Sequence, residues 1–299
     1  MSATVGEVIA ALEGAYPPAL AADWDAVGLV CGDPAEPVSR VLVAVDAVPE
    51  TVDEAIGEAQ LLVTHHPLLL RGVHGVGTDT PKGALLHRLI RGGTALFTAH
   101  TNADSADPGV SDALAARLGL HDVRPIRPSL DDPRRGTGRI GKLPAPMSAA
   151  ALVQLAARAL PPTAWGVRGT GDADRVIETI AVCGGAGDPY LADATRAGAD
   201  AYLTADLRHH PASEHVSDGG PVLLDAAHWA TERPWLDAVA AEVAAALAVR
   251  TVVSDLDTDP WTLHALPGPP AGAAQRSPRS SGPGQESAQS SNLGAGSVG

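Results

Sequence analysis

The sequence predicts an α/β fold with a largely parallel sheet. Short apolar, β-branched runs read as buried strands, and helical segments alternate with them. Residues able to do chemistry follow several of those strands directly, where α/β folds place their sites. The 299 residues are enough for one or two domains with a sizeable core.

Taken in order, residues 5–12 carry Val5, Ile9 and Leu12 at helical spacing and open the fold as a helix. Residues 38–45 (VSRVLVAV) read as a buried strand. Residues 49–58 follow as a helix, with proline in the first turn and acids early. A strand at 59–64, a helix at 82–91 and a strand at 94–99 continue the alternation. A helix at 109–118 is closed by Gly119. Residues 124–146, rich in Pro, Gly, Arg and Asp, read as a linker into a second lobe. Beyond it come a helix at 148–160, a strand at 176–183 and a helix at 188–197. Strands at 200–204 and 222–225, a long helix at 231–249 and a last strand at 251–254 complete the folded part. Residues 267–299 are dominated by Gly, Pro, Ser, Ala and Gln and are expected to be a disordered tail.

Residues 40–66 and 179–210 are alike: each reads strand, turn, helix, strand, and each ends at a Thr followed closely by His-His. This points to an internal duplication, with chance similarity of two βαβ units as the alternative. The expected division is a first lobe of residues 1–125 plus 222–264, a second of 126–221, and a tail of 265–299.

Composition narrows the function. With 21 Lys and Arg against 35 Asp and Glu, the formal charge is −14, which disfavours binding to nucleic acid phosphates. Cys31 and Cys183 cannot build a disulfide framework, so a reducing compartment is the default. The first residues lack the pattern of a signal peptide, and no apolar run approaches the roughly 18 residues of a membrane span. The expectation is a cytoplasmic protein without membrane partners.

Three stretches carry the chemistry. THHP places His65 and His66 at the end of one strand, and AHTNAD places His100 and Asp104 four apart after another. LLDAAHWATE places His228 and Glu232 four apart after a third. Each has a plainer reading alone: loop histidines, a helix cap at Asp104, or Glu232 stabilising a helix N-terminus. Together they supply four imidazoles and two carboxylates, too many for one tetrahedral zinc. They suit two divalent cations sharing a bridging carboxylate and a water. Asp46 and Asp225 are candidates to orient the imidazoles from behind. Asp206, His209 and His210 are candidates to line the same cleft, the alternative being a solvated loop. GGAG at 184–187 is a weak candidate for a phosphate cradle. His74, His87, His121, His215 and His264 read as ordinary histidines.

The same motifs, in this order and spacing, resemble the NIF-three-like proteins. That family is also known as GTP cyclohydrolase 1 type 2 homologues or dinuclear metal-centre hexamers. The carriers are DWDAVGLVCGD, VTHHPLLL, FTAHTNADSADPGVSDALAARLGL, AVCGGAGD, GADAYLTADLRHH and LLDAAHWATE, spanning residues 5–253. The resemblance implies two similar, intertwined α/β lobes with a dimetal site between them, assembled as a toroidal homohexamer. It implies His65, His66, Asp104, His228 and Glu232 as ligands, with His100 beside the site and Glu232 as the bridge. Departures from the family pattern are Ala26, where Asn is usual, and ADLRHH, where a Gly-Asp pair is common.

The function expected is therefore a dinuclear metal-dependent hydrolase, with Glu232 the candidate catalytic residue and two divalent cations (Zn, Mn, Fe or Co) per subunit. Its substrate is a small molecule: GTP, attacked at C8 of the purine, or another nucleotide-like or phosphorylated compound. The alternative is a non-catalytic metal-binding assembly or regulatory factor, since a dimetal site establishes coordination and not turnover.

Overall fold

The computed structural model describes residues 3–265. The chain begins with β1 (Ala3–Thr4), α1 (Val5–Ala15), β2 (Gly28–Cys31), β3 (Pro37–Val38), β4 (Arg40–Ala44), α2 (Pro49–Glu58) and β5 (Leu61–Thr64). It continues through α3 (Pro81–Gly92), β6 (Ala95–Thr98), α4 (Thr101–Ser105), α5 (Val110–Arg117) and β7 (His121–Arg124). Next come β8 (Arg127–Pro128), β9 (Gly136–Thr137), β10 (Arg139–Ser148), α6 (Ala149–Ala159), β11 (Val167–Gly169) and β12 (Val176–Ala186). The last elements are α7 (Leu191–Ala197), β13 (Ala201–Ala205), α8 (His209–Ser217), β14 (Val222–Ala226), α9 (His228–Ala246) and β15 (Arg250–Val253).

Local signals explain most boundaries. Thr4 and Glu7 cap α1 reciprocally: the Glu7 N–H donates to the Thr4 hydroxyl at 3.2 Å, and the Thr4 N–H to the Glu7 carboxylate at 2.7 Å. Ser148 caps α6 in one direction, its hydroxyl accepting from the Ala151 N–H at 3.2 Å. Gly93 and Gly198 end α3 and α7 in the left-handed conformation, which a side chain would resist. α9 begins three residues earlier than expected. Pro234 lies in its second turn.

Two sheets result. One has the order β15-β4-β5-β6-β2, the other β11-β14-β13-β12-β10-β7. In each, three successive strands lie side by side and parallel: β4, β5 and β6 in the first, β12, β13 and β14 in the second. The two segments that look alike in sequence thus form corresponding βαβ units. Adjacent strand ends of one sheet therefore point the same way, which gives each sheet a row of three carboxyl ends.

Alternation along the strands sorts the core into layers. In the first sheet Val41, Val43, Leu61, Val63, Ala95 and Phe97 face one way, with Leu42, Leu62 and Leu96 facing α2 and α3. In the second, Ile180, Val182, Leu203 and Leu224 join the cluster that holds Val41 and Phe97, while Ala181, Tyr202 and Leu223 pack toward α7. One hydrophobic core is thus shared by both sheets, with α1, α5 and α9 inside it. Residues up to His264 form one compact unit.

The structure corrects the reading of the middle of the chain. Residues 124–146 are not a linker. They hold the β8–β9 hairpin and most of β10, which pairs antiparallel with both β12 and β7. The turn-rich composition is genuine, but it builds a hairpin whose strands are too short to show a period. The second sheet also takes in β7 and β14, so the changes of sheet fall near residues 120 and 227 rather than at 126 and 222. The expected tail beyond residue 265 lies outside the described residues. Among those described, no helix is long and apolar enough to cross a membrane.

Candidate metal centre

Six strand ends converge on one place. From the first sheet come Asp46 after β4, His65 and His66 after β5, and His100 and Asp104 after β6. From the second come Gly185 within β12, Asp206 after β13, and His228 and Glu232 after β14. Two groups of donor atoms form, each with its atoms within 4.8 Å of one another: His65, His66 and His100 in one, His66, His228 and Glu232 in the other.

Glu232 touches histidines of both groups. Its Oε1 lies 3.0 Å from His228 Nε2 and 3.5 Å from His65 Nε2, and its Oε2 lies 3.1 Å from His66 Nε2. Asp104 Oδ1 lies 3.7 Å from His65 Nε2. The Nε2 atoms of His66 and His228 face each other at 3.2 Å.

Each imidazole is anchored through its other nitrogen. His65 Nδ1 donates to the Ala99 carbonyl at 3.0 Å, and His66 Nδ1 to Asp46 at 2.7 Å. His100 Nδ1 donates to Asp25 at 2.8 Å, and His228 Nδ1 to Asp206 at 2.7 Å. A proton fixed on Nδ1 leaves the Nε2 lone pair for a cation, and an acidic partner makes that nitrogen a stronger ligand. His65 Nε2 and Glu232 Oε2 are buried and lack a hydrogen-bond partner, a costly state for two polar atoms that bound cations would relieve. Neutral imidazole with carboxylate is the donor set of divalent zinc, manganese, iron or cobalt. The residues present therefore fit a pair of divalent cations.

Without such cations the site holds protons instead. Glu232 raises the His228 imidazole to about 11 against its burial, with Asp206 adding to the effect. Burial opposes charge on His66, yet Glu232 and Asp46 raise it to about 10. Burial also opposes charge on Glu232, but His66, His228 and His65 hold its carboxyl well below the ordinary range. Burial pushes Asp104 up to about 6, against the pull of His65. Burial and then the neighbouring His65 lower His100. Cations and protons thus compete for the same nitrogens, so metal affinity should rise with pH up to about 11. Loading the metal-free protein at pH 7 is expected to release roughly two protons per chain, read by calorimetry in buffers of different ionisation enthalpy.

Backbone geometry serves the same cluster. Gly185 has φ +65°, and a Cβ there would lie 2.4 Å from Glu232 Oε1 and 3.0 Å from His228 Nε2. Only glycine lets this strand approach the ligands so closely. In the GGAG segment the Gly184 N–H donates to Ser111 and the Gly185 N–H to Thr231, so neither of these two is free for an anion.

Other expectations sort clearly. Asp46 does back an imidazole. Asp225 does not: it pairs with Arg168 at 2.7 Å and accepts from the Leu207 N–H, away from the cluster. Its strand position turns its carboxylate toward β11, and Asp206 takes the role behind His228. Asp206 has φ +57°, a turn that aims its carboxylate back at the ring and that Asp tolerates better than most residues. His209 and His210 open the exposed helix α8. His209 lines a separate cavity with Arg168 and Leu207. Sequence reading missed Asp25, which also accepts from the Thr101 and Ala26 N–H groups at 3.0 and 2.7 Å. Its signal was an acid within the quoted DWDAVGLVCGD motif. Ala26 keeps a backbone bond to Asp25, so the loss of a side-chain amide leaves that loop tied. Asp206→Asn and Asp46→Asn are each expected to weaken metal binding about 10- to 100-fold without unfolding the chain, measured by competition with a chelating dye.

His66, His100, Asp104, His228 and Glu232 line a cavity of about 730 Å³ together with Trp24, Ser111, Arg127 and Tyr190. That volume lies within the range of small-molecule sites.

A family model described as Duf34/NIF3 (NGG1p interacting factor 3) matches residues 3–260. A Streptomyces coelicolor protein called GTP cyclohydrolase 1 type 2 homolog is 51% identical over 277 residues, covering 90% of this chain and 97% of that protein. A Mycobacterium tuberculosis protein of the same description is 40% identical, covering 88% of this chain and 98% of its own. Its alignment extends over 374 positions, more than this chain contains, so that relative carries additional sequence. The crystal structure of a Bacillus cereus protein related to NIF3 superposes with a TM-score of 0.82 at 24% identity, covering 88% of this chain and all of that one. Reduced HcgD from Methanocaldococcus jannaschii superposes at 0.68 with 25% identity, covering 85% of this chain and 98% of its own.

Proposed function

Because this chain belongs to the Duf34/NIF3 family, we propose that it is a dinuclear metal-dependent hydrolase. Its substrate is GTP, opened at the imidazole ring of the purine, or another small nucleotide-like or phosphorylated compound. One observation carries the reading: the Glu232 carboxylate contacts histidines of both donor groups, His65 and His66 in one, His66 and His228 in the other. A pair of divalent cations, when bound, supplies Lewis acidity and makes water a nucleophile near neutral pH.

The chain's own residues supply the rest. His65, His66, His100, Asp104, His228 and Glu232 hold the cations, and Asp46, Asp25 and Asp206 orient three of the imidazoles. Glu232, ionised across the working pH range, is the candidate catalytic residue and the one carboxylate that meets His65, His66 and His228. The hydrophobic core beneath the cluster, with Trp235 packed on the His65 ring at 5.2 Å, excludes water from behind and leaves the cavity as the approach. We extend the proposal to a toroidal homohexamer, which light scattering after size exclusion would read.

The test is turnover. Protein loaded in turn with Zn, Mn, Fe and Co is assayed against GTP and a nucleotide panel. Metal-dependent hydrolysis that Glu232→Ala removes, with assembly unchanged, supports the enzyme. Stable retention of two cations per chain without turnover by any metal would make the protein a metal-binding factor instead. Chelation by EDTA is expected to leave the circular dichroism spectrum intact, because the shared core and not the cations holds the sheets together.

A further inference from the structure

Part of the cavity lining comes from the segment that looks like a linker in the sequence: Arg127, Thr137 and Gly138. Arg127 lies on the β8 strand of the β8–β9 hairpin, opposite Thr137, and lines the cavity. Among the residues that line it, Arg127 is the one lysine or arginine. The nearby Arg134, Arg135 and Arg139 are all paired with carboxylates, whereas among the described residues Arg127 has no such partner. In a chain of net charge −14, a cation left unpaired at a cavity wall is open to an anion from outside.

The hairpin is held in place. Arg139 is 1% exposed, and its guanidinium donates at 2.8 Å to the carbonyls of Gly136 and Gly138, and to Ala106. It also meets the Asp112 carboxylate at 2.7 Å. This buried fork ties the hairpin to the loop that follows Asp104 and to the helix α5. The backbone that carries Arg127 is thereby fixed before anything binds, so its side chain starts from a set place at the cavity. Near the ligands, Trp24 is 62% exposed and meets the His100 ring edge-on at 6.0 Å. A large aromatic left open beside a polar site offers a face to a flat ring.

We propose that Arg127 binds the phosphate group of the substrate while Trp24 stacks on its ring, making the substrate a phosphorylated planar heterocycle. This deepens the hydrolase reading and rests on it for the identity of the site. Arg127 reads charge, Trp24 reads flatness, and Arg139 is a positioning residue acting through the hairpin. A cavity of about 730 Å³ holds such a molecule in addition to two cations.

Equilibrium binding separates this from catalysis. GTP, guanosine and inorganic triphosphate are titrated into the zinc-loaded protein by calorimetry, with metal content checked for each variant. Arg127→Gln is expected to weaken GTP and triphosphate about 10- to 100-fold and leave guanosine unchanged. Trp24→Ala is expected to weaken GTP and guanosine about 10-fold and leave triphosphate unchanged. Both residues are exposed and both variants should keep the wild-type circular dichroism. Unchanged GTP affinity in Arg127→Gln, an equal loss for guanosine, or no binding of GTP and triphosphate by the wild type overturns the inference. Specific binding that follows this pattern in a protein that turns nothing over upholds the inference while the hydrolase reading fails.

Discussion

Glu232→Ala is expected to lower affinity for divalent cations by roughly 100- to 10,000-fold, the range that loss of one member of a buried charged set implies. The carboxylate is 3% exposed and contacts three imidazoles, so no other group takes its place. The fold should survive, because the histidines around it can lose their protons. In the metal-free protein Glu232 holds His66 at about 10 and His228 at about 11; without it both should return toward their ordinary 6.5. The consequence for stability has a definite sign. Raised imidazole values stabilise the folded state fully below 6.5, and that contribution disappears as pH rises through about 10 to 11. The lowered Glu232 value stabilises it above 4.5 and is lost as pH falls through the folded value. The metal-free wild type should therefore exceed the variant in stability between about pH 4.5 and pH 10, with the gap closing on both sides. Thermal melts across that range, with imidazole titrations followed by NMR, read both effects. An equal melting difference at pH 7 and above pH 11 would contradict the ion-pair account.

Trp235→Ala is expected to carry the largest loss of stability, about 3–5 kcal/mol. The indole is 1% exposed and among the largest fully buried side chains. It packs edge-on against Tyr16 at 5.5 Å and against the His65 ring at 5.2 Å. Its removal opens a cavity where α1 and α9 meet and leaves His65 without the surface that holds its ring. Denaturant melts of the metal-free protein read the first effect. A weaker grip on metal, by about 10-fold or more in the remaining folded protein, reads the second. Trp235→Phe keeps most of the volume and should cost well under half as much. Equal losses in the two variants would point away from packing.

The strands and helices that carry the ligands were legible because their signals are local. The continuous apolar runs of residues 40–44 and 61–64 mark buried strands whichever way the chain turns next, and Gly119 marks a helix end through its own backbone preference. The candidate metal ligands were legible for a related reason. His65 with His66, His100 with Asp104, and His228 with Glu232 are each close in sequence and directly follow a strand, so position along the chain foretells position at a sheet edge.

What lies behind the ligands depended on approaches between distant residues. Asp25 lies 75 residues from His100, and Asp206 lies 22 from His228, separations at which spacing carries no geometric information. Asp225 looked the better partner because it is nearer in the chain, but strand alternation turns it toward Arg168. The β8–β9 hairpin escaped notice because two-residue strands show no period, and its place at the cavity is set by the buried guanidinium of Arg139. Sequence alone determined the parallel strands, the helices between them and the donor types, since these follow from local backbone preference and side-chain chemistry. The tertiary fold decided which donors meet, which acids orient them and which face of the cavity carries charge, because those depend on how two sheets close over one core.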